Sequence, residues 1–212
     1  MKILVHIPSR ERPDQLLATV KEYQRLAIGP ITILLSLDLD DDAMVARRRE
    51  FQRLPGMLIV WGKSASKIDA VNRDIAEHRW DILIGASDDM VPVVEGYDQR
   101  IRSQFTEGTD LCLWCSDGHQ SRLCTIPVMG RKAYDDLGYV YHPEYLSYWA
   151  DDEWTERWTA AGKLVKVQGP MFRHKHWIFG EARFDSLYQR NKAPKKTDHA
   201  TYNRRKALNF PR

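Results

Sequence analysis

Two adjacent carboxylates, Asp88 and Asp89, stand in the run Gly85-Ala86-Ser87-Asp88-Asp89-Met90, directly behind an apolar stretch. Neighbouring acids repel, and burying them at the end of a strand is costly without a cation. A divalent ion that also grips a phosphate removes that cost, and hard cations take oxygen ligands. A solvated Asp-Asp turn is the plain alternative. A second acidic group holds Asp38, Asp40, Asp41 and Asp42. The last three read as N-cap and first-turn acids of a helix, which leaves Asp38 as the ligand contact. The turn Pro8-Ser9-Arg10-Glu11-Arg12-Pro13 offers guanidinium groups at a helix start, which favours an anion; otherwise they are surface charges. Lys63, Lys67 and Asn72-Arg73 surround another helix start. The dipole disfavours a cation there, so Lys67 makes more sense beside a phosphate than on a solvated face.

Three further groups bear on chemistry. Asp151-Asp152-Glu153 open a predicted helix, where acids complement the dipole or supply a general base. His174 and His176 alternate on a predicted strand and share one face, so either suits a metal. Cys112, Cys115, His119 and Cys124 have the order of a zinc knuckle. Cys112 and Cys115 are three apart on one strand and face opposite ways, so they read as core residues.

The elements that position these residues alternate. Apolar runs at 3–7, 31–37, 57–61 and 81–85 predict strands, with helices at 13–26, 43–54 and 66–78 between them. This βαβαβαβ order predicts a parallel sheet whose strand C-termini share one ligand-binding edge. Beyond it, strands are expected at 111–115, 122–127, 164–167 and 171–176, with helices at 130–137 and 151–161. After Phe184 the apolar pattern fades, which predicts a loosely packed basic extension over 184–212 behind a domain of 1–183.

Composition narrows the class. The chain has 212 residues, 43% hydrophobic and 29% charged, which fits one α/β domain with a substantial core and excludes a disordered chain. Its net charge of +3 hides eight basic residues against one acid from Arg190 to Arg212. No apolar stretch approaches a membrane span, the opening apolar run is too short for a secretory signal, and three cysteines form no disulfide framework. A cytoplasmic protein is the expectation. The oligomeric state is not legible.

Taken in order, these motifs resemble the nucleotide-sugar-dependent glycosyltransferases of the GT-A fold, particularly glycosyltransferase family 2, over about residues 2–178. The resemblance implies a Rossmann-like, mostly parallel central sheet flanked by helices. It implies Mn²⁺ or Mg²⁺ and a nucleotide-sugar, foremost a UDP-sugar, as donor. Pro8, Ser9 and Arg10 match the family's first-strand turn, and Asp38 its base-contacting acid. The segment Lys67 to Arg73 matches the one lying against the donor. Ser87-Asp88-Asp89 stands at the Asp-X-Asp position with serine in place of the first acid. Asp89 therefore inherits the metal role, and Asp88 a ribose or metal contact. Thr125 to Arg131 resembles the acceptor-side segment. Asp151 is the implied base, Asp152 in the alternative register. His176, or else His174, would complete the metal shell.

Two other functions compete. A nucleotidyltransferase would carry a glycine-rich loop after its first strand, and 8–13 has no glycine. A non-catalytic nucleic-acid module would leave the acidic strand ends unexplained. The acceptor is a saccharide or another hydroxyl compound, with a hydroxymethylated pyrimidine in DNA as the variant that the basic tail motivates. Tyr145, Tyr148, Trp149, Trp154 and Trp158 stand either as a stacking platform for it or as core.

Overall fold

The structure, a computed structural model, describes residues 1–211. The last cation of the basic tail, Arg212, lies outside the described residues. The first half runs β1 (Ile3–Ser9), α1 (Pro13–Leu26), β2 (Ile31–Asp38), α2 (Asp42–Ala46), α3 (Arg48–Phe51), β3 (Met57–Gly62), α4 (Lys67–Asn72) and β4 (Ile82–Gly85). Next come β5 (Met90–Pro92), α5 (Tyr97–Arg102), β6 (Cys112–Ser116), β7 (Pro127–Gly130), α6 (Arg131–Asp135) and α7 (Ala150–Ala160). The chain closes with β8 (Leu164–Pro170), β9 (Phe172–His174), a 3₁₀ turn (Trp177–Phe179), α8 (Ser186–Lys192) and α9 (Lys195–Ala207).

A seven-stranded sheet has the order β3-β2-β1-β4-β7-β6-β8, and β7 alone runs antiparallel to its neighbours. The chain steps outward from β1 to β3 and then returns to the other side of β1 for β4. The crevice of a doubly wound sheet opens at that reversal, beyond the ends of β1 and β4. Strands buried on both faces need side chains that pack on both. Ile3, Val5 and Ile7 meet Leu16, Leu17 and Val20 of α1, whereas Leu4 and Leu34 join Ile68, Tyr134, Trp154 and Trp158 on the opposite face. Helix α1 has no side-chain cap. A missing cap costs about 1 kcal/mol, whereas each fully buried aliphatic side chain contributes about 1.5–3 kcal/mol. Its apolar stripe therefore decides that it forms.

The helix expected over 43–54 is two short helices, α2 and α3, meeting at Arg47. The helix expected over 66–78 ends at Asn72, because Arg73 is extended and Asp74 has φ 67°. The strand expected over 122–127 is instead β7, Pro127–Gly130. Buried Asp117 holds the preceding loop off the sheet by accepting from the N–H groups of His119 and Gln120 and from the Thr125 hydroxyl. Cys112 and Cys115 do fall in opposite cores, and all three cysteines are buried thiols.

The largest correction concerns the tail, which is not a loosely packed arm. Helices α8 and α9 both dock, burying Tyr188, Asp198, Tyr202 and Arg205. Asp198 accepts from the N–H groups of Leu146, Ser147 and Tyr148. Arg205, 2% exposed, makes a two-pronged bond of 2.8 Å and 2.8 Å to Glu153 of α7. Arg204 pairs with Glu144, and Lys206 with Glu156, at the surface, where all four side chains stay exposed to solvent. Removing one partner of a buried pair typically costs about 3–5 kcal/mol, and urea unfolding of Arg205→Ala should show a loss of that order. A loss no larger than that of Arg204→Ala would mean that α9 is not part of the cooperative unit.

Candidate active site

The crevice at the ends of β1 and β4 holds most of the expected residues. Asp88 and Asp89 follow β4 in a tight turn and are both buried. Ser9, at the end of β1, donates to Asp88 Oδ2 at 2.6 Å, and Arg12 Nη1 and Gln15 Nε2 reach Asp88 Oδ1 at 3.3 Å and 3.2 Å. Burial, and then the charge of Asp89, raise the Asp88 carboxyl above the usual carboxylate range against these partners. Burial acts on Asp89 in the same sense. The His174 imidazole, the Ser87 hydroxyl and the Lys67 charge overcome it there and hold the carboxyl low. The two adjacent acids are thus pushed apart, and Asp89 is the one kept ionised.

A small second sheet brings the histidines to Asp89. Strands β5 and β9 pair antiparallel with Met90 opposite His174, so the residue before β5 meets the end of β9. The Lys175 N–H donates to the Asp89 carbonyl at 2.8 Å and locks this register. His174 Nε2 lies 3.6 Å from Asp89 Oδ2, and the two imidazole rings are 4.9 Å apart. One ligand atom from each of Asp89, His174 and His176 lies within 4.8 Å of the others. Burial, then His174, push His176 down to about 4, which leaves the neutral, metal-binding imidazole at neutral pH. His174 Nδ1 is buried with no hydrogen-bond partner. One carboxylate and two imidazoles whose ligand atoms approach this closely fit a divalent transition metal.

Lys67 and Asp151 close the site from the other face of the sheet. Ser66 caps α4 by accepting from the Asp69 N–H, while Asp69 accepts from the Ala65 N–H, a reciprocal box that fixes Lys67 as the first helical residue. Lys67 is exposed, and its charge acts on Asp89, His176 and Asp151 together. Asp151 sits one residue into α7, behind Trp149, whose φ of 67° makes a sharp turn that stacking on His199 at 4.4 Å supports. Burial raises the Asp151 carboxyl, with Lys67 and His174 opposing. One helical step further, Asp152 points elsewhere. It lines a separate cleft of about 620 Å³ with Trp114, Arg122, Glu156 and Lys166.

The nucleotide side differs in detail from its simplest reading. Asp38 Oδ1 accepts from Ser64 and from Arg73 Nη1, and Oδ2 accepts from Arg10. Arg73 also bonds Asp74 and the Leu37 carbonyl, and its Nη1 stands 2.8 Å from where a side chain on Gly62 would begin. Arg73 therefore anchors β2 to β3 and α4, while Arg10, tied to Asp38 and Asp40, and Pro8 reach the edge of the crevice. Tyr145, Trp154 and Trp158 are core; Tyr148 and Trp149 are half-buried. Sequence reasoning missed Tyr188, whose hydroxyl donates to Asp89 Oδ2 at 2.9 Å, and left Arg12 as either an anion contact or a surface charge. The N-cap acid Asp185 was the available signal for the helix that carries Tyr188.

No family model matches the sequence, and no curated protein matches it. Solved structures do share the fold. A mannosyltransferase from Pyrobaculum calidifontis, in complex with GDP-Man and Mn²⁺, superposes with a TM-score of 0.64 at 12% identity over 79% of this chain and 54% of that one. TarS 1-349 of S. aureus, in complex with UDP-GlcNAc, gives 0.63 at 11% identity over 82% and 58%. Glucosyl-3-phosphoglycerate synthase from Mycobacterium tuberculosis, with Mn²⁺, UDP and phosphoglyceric acid, gives 0.60 at 11% identity over 82% and 71%. The chain therefore has the GT-A fold. It spans little more than half the length of the first two of these structures.

The two acids opening α7 give a test by pH. Burial, then the neighbouring Asp151, raise Asp152 to about 6, above its unfolded value. Its protonated form is thus favoured by folding, and that contribution, complete below pH 3.8, is lost as pH rises through about 6. Asp152→Asn, which cannot ionise, should become progressively more stable than the parent over this interval, measured by urea unfolding in EDTA. A difference that stays flat would contradict the placement of Asp152.

Proposed function

We propose that the protein is a metal-dependent glycosyltransferase that moves a sugar from a nucleotide-sugar donor, foremost a UDP-sugar, to an acceptor hydroxyl. The observation that carries this reading is the convergence of Asp89, His174 and His176 with Lys67 and Asp151 at the sheet reversal. Two of the three structures described carry UDP or a UDP-sugar and one carries GDP-Man, and two carry Mn²⁺. The two imidazoles favour Mn²⁺ over Mg²⁺, which prefers oxygen ligands.

A divalent ion held by Asp89, His174 and His176 supplies charge neutralisation at the donor diphosphate. Lys67 reaches the same phosphates from the start of α4 and balances the charge that develops as they leave. Pro8, Ser9 and Arg10 form the floor under the nucleotide, with Asp38 oriented by Arg10 and Arg73 at its base end and Asp88 toward the ribose. Asp151 takes the acceptor proton as the acceptor oxygen bonds to the anomeric carbon and the bond from that carbon to the phosphate oxygen breaks. The nucleoside diphosphate leaves on the side opposite the attacking oxygen, which inverts the anomeric centre. The raised proton affinity of Asp151 suits a general base better than a fully solvated carboxylate would.

The acceptor in this reading is a saccharide or another small hydroxyl compound. Burial of Arg205 against Glu153 takes that cation out of reach of nucleic acid, while Arg190, Lys192, Lys195 and Lys196 stay on the surface. Hydroxymethylated DNA stays as one arm of the acceptor screen. Among the described residues no helix is long and apolar enough to cross a membrane.

Two outcomes test the reading. Incubation with Mn²⁺ and a panel of sugar nucleotides should release nucleoside diphosphate, and EDTA or Asp89→Ala should stop it; full turnover in EDTA refutes the metal chemistry. Asp151→Asn should keep donor and Mn²⁺ binding while transfer falls by about 10²–10⁴-fold, the usual worth of a positioned base. Loss in Asp152→Asn alone would move the base by one residue.

A further inference from the structure

Tyr188 is placed where an ordinary surface tyrosine would not be. Its hydroxyl donates to Asp89 Oδ2 at 2.9 Å, while the Ser87 hydroxyl bonds Oδ1 of the same carboxylate. Each carboxylate oxygen thus accepts from a hydroxyl, and Oδ2 also faces His174 Nε2 at 3.6 Å. The Tyr188 ring stands edge-on to His176 at 4.6 Å and interplanar 82°, so one side chain touches two of the three residues grouped as metal ligands. Arg12 covers the ring face at 4.0 Å.

Helix α8, which carries Tyr188, is fastened by the same arginine. Arg12 Nε and Nη2 bond the Asp185 carboxylate at 2.8 Å and 2.7 Å, and Asp185 in turn accepts from the Tyr188 N–H at 2.9 Å. The third arm, Nη1, reaches Asp88 at 3.3 Å. Ser186 adds a bond of 2.7 Å to Glu11. The guanidinium therefore holds the acid pair and the helix in one fixed relation.

We propose that Tyr188 is a positioning residue of the metal centre, orienting Asp89 for a divalent cation, and that α8 docks and the cation binds as coupled events. This rests on the metal-dependent reading given above. Outer partners of metal ligands fix the ligand's orientation, and by linkage a cation that needs the docked helix must also stabilise that docking. A purely structural Tyr188, present only to satisfy a buried acid, would alter stability without altering metal affinity.

Electron paramagnetic resonance of free Mn²⁺ measures the affinity directly. Tyr188→Phe keeps the ring under Arg12 and loses only the hydroxyl; it should bind Mn²⁺ about 10–100-fold more weakly. Hydrogen exchange on the unaltered protein should show Mn²⁺ slowing the amides of 186–192, which keeps the test independent of how well the variant folds. Unchanged affinity in Tyr188→Phe, or exchange in α8 indifferent to Mn²⁺, overturns the proposal. Tighter binding overturns it too, because the hydroxyl would then occupy the cation's place. Any of these three results alongside Mn²⁺ binding by the parent leaves the metal-dependent reading standing, whereas a parent that binds no Mn²⁺ overturns both.

Discussion

Two carboxylates side by side in the chain, one 4% and the other 5% exposed, impose the main constraint on this molecule. Neither can be left charged in such a place without compensation, and nothing apolar can supply it. The surroundings split the problem. Asp88 receives a serine hydroxyl, an amide and a guanidinium from β1, α1 and the turn between them. Asp89 receives one hydroxyl from its own turn, Ser87, and a hydroxyl and an imidazole, Tyr188 and His174, from far along the chain. Thr19 also donates to the Asp88 carbonyl at 2.5 Å, so even the backbone of the turn is held by α1. The sheet reversal provides the room for this arrangement, because β1 and β4 end there with no crossover above them.

The same logic separates the two acids that open α7. Successive helical residues point about 100° apart, so Asp151 turns toward Lys67 and Asp152 toward Arg122 and the neighbouring cleft. Identical side chains next to each other acquire different electrostatic environments from geometry alone. What fixes the direction is the turn before them. Trp149 adopts a left-handed backbone that a non-glycine residue rarely takes, and Asp198 of α9 holds three preceding amides in place. The direction in which Asp151 faces is therefore set from outside the sheet, by a helix about fifty residues further along.

The sheet and its binding edge were legible because parallel strands read as apolar runs, and chemistry at their ends then follows from topology. Asp38, Lys67, Asp88, Asp89 and Asp151 each fall at the end of an expected strand or the start of an expected helix, whereas β9 stops at His174, so the expected strand over 171–176 does not carry His176. The register of β7 was not legible, since what decides it is one buried acid, Asp117, tying up the preceding loop. Helices α8 and α9 escaped for a related reason. They carry no apolar stripe and are held by Arg12–Asp185, Arg205–Glu153 and a few hydroxyls, interactions that leave a sequence looking like a solvated tail. Charge also names no partner: Arg10 and Arg73 read alike, yet Arg73 is a bracket within the fold and Arg10 stands at the crevice.

The distance along the chain between the acid pair and its last partners has a consequence for how the molecule comes into being. Tyr188 lies 99 residues beyond Asp89, and Asp185 lies 173 beyond Arg12. A chain emerging from its amino end lays down β1 to β4 early, with both carboxylates already at the strand tip and their histidines, tyrosine and clasp still missing. Until those arrive, the crevice must stay open to water, which alone can hydrate the charges. The bonds that complete the centre therefore close loops of 99 and 173 residues, and their loop-closure entropy is repaid only once most of the chain is in place.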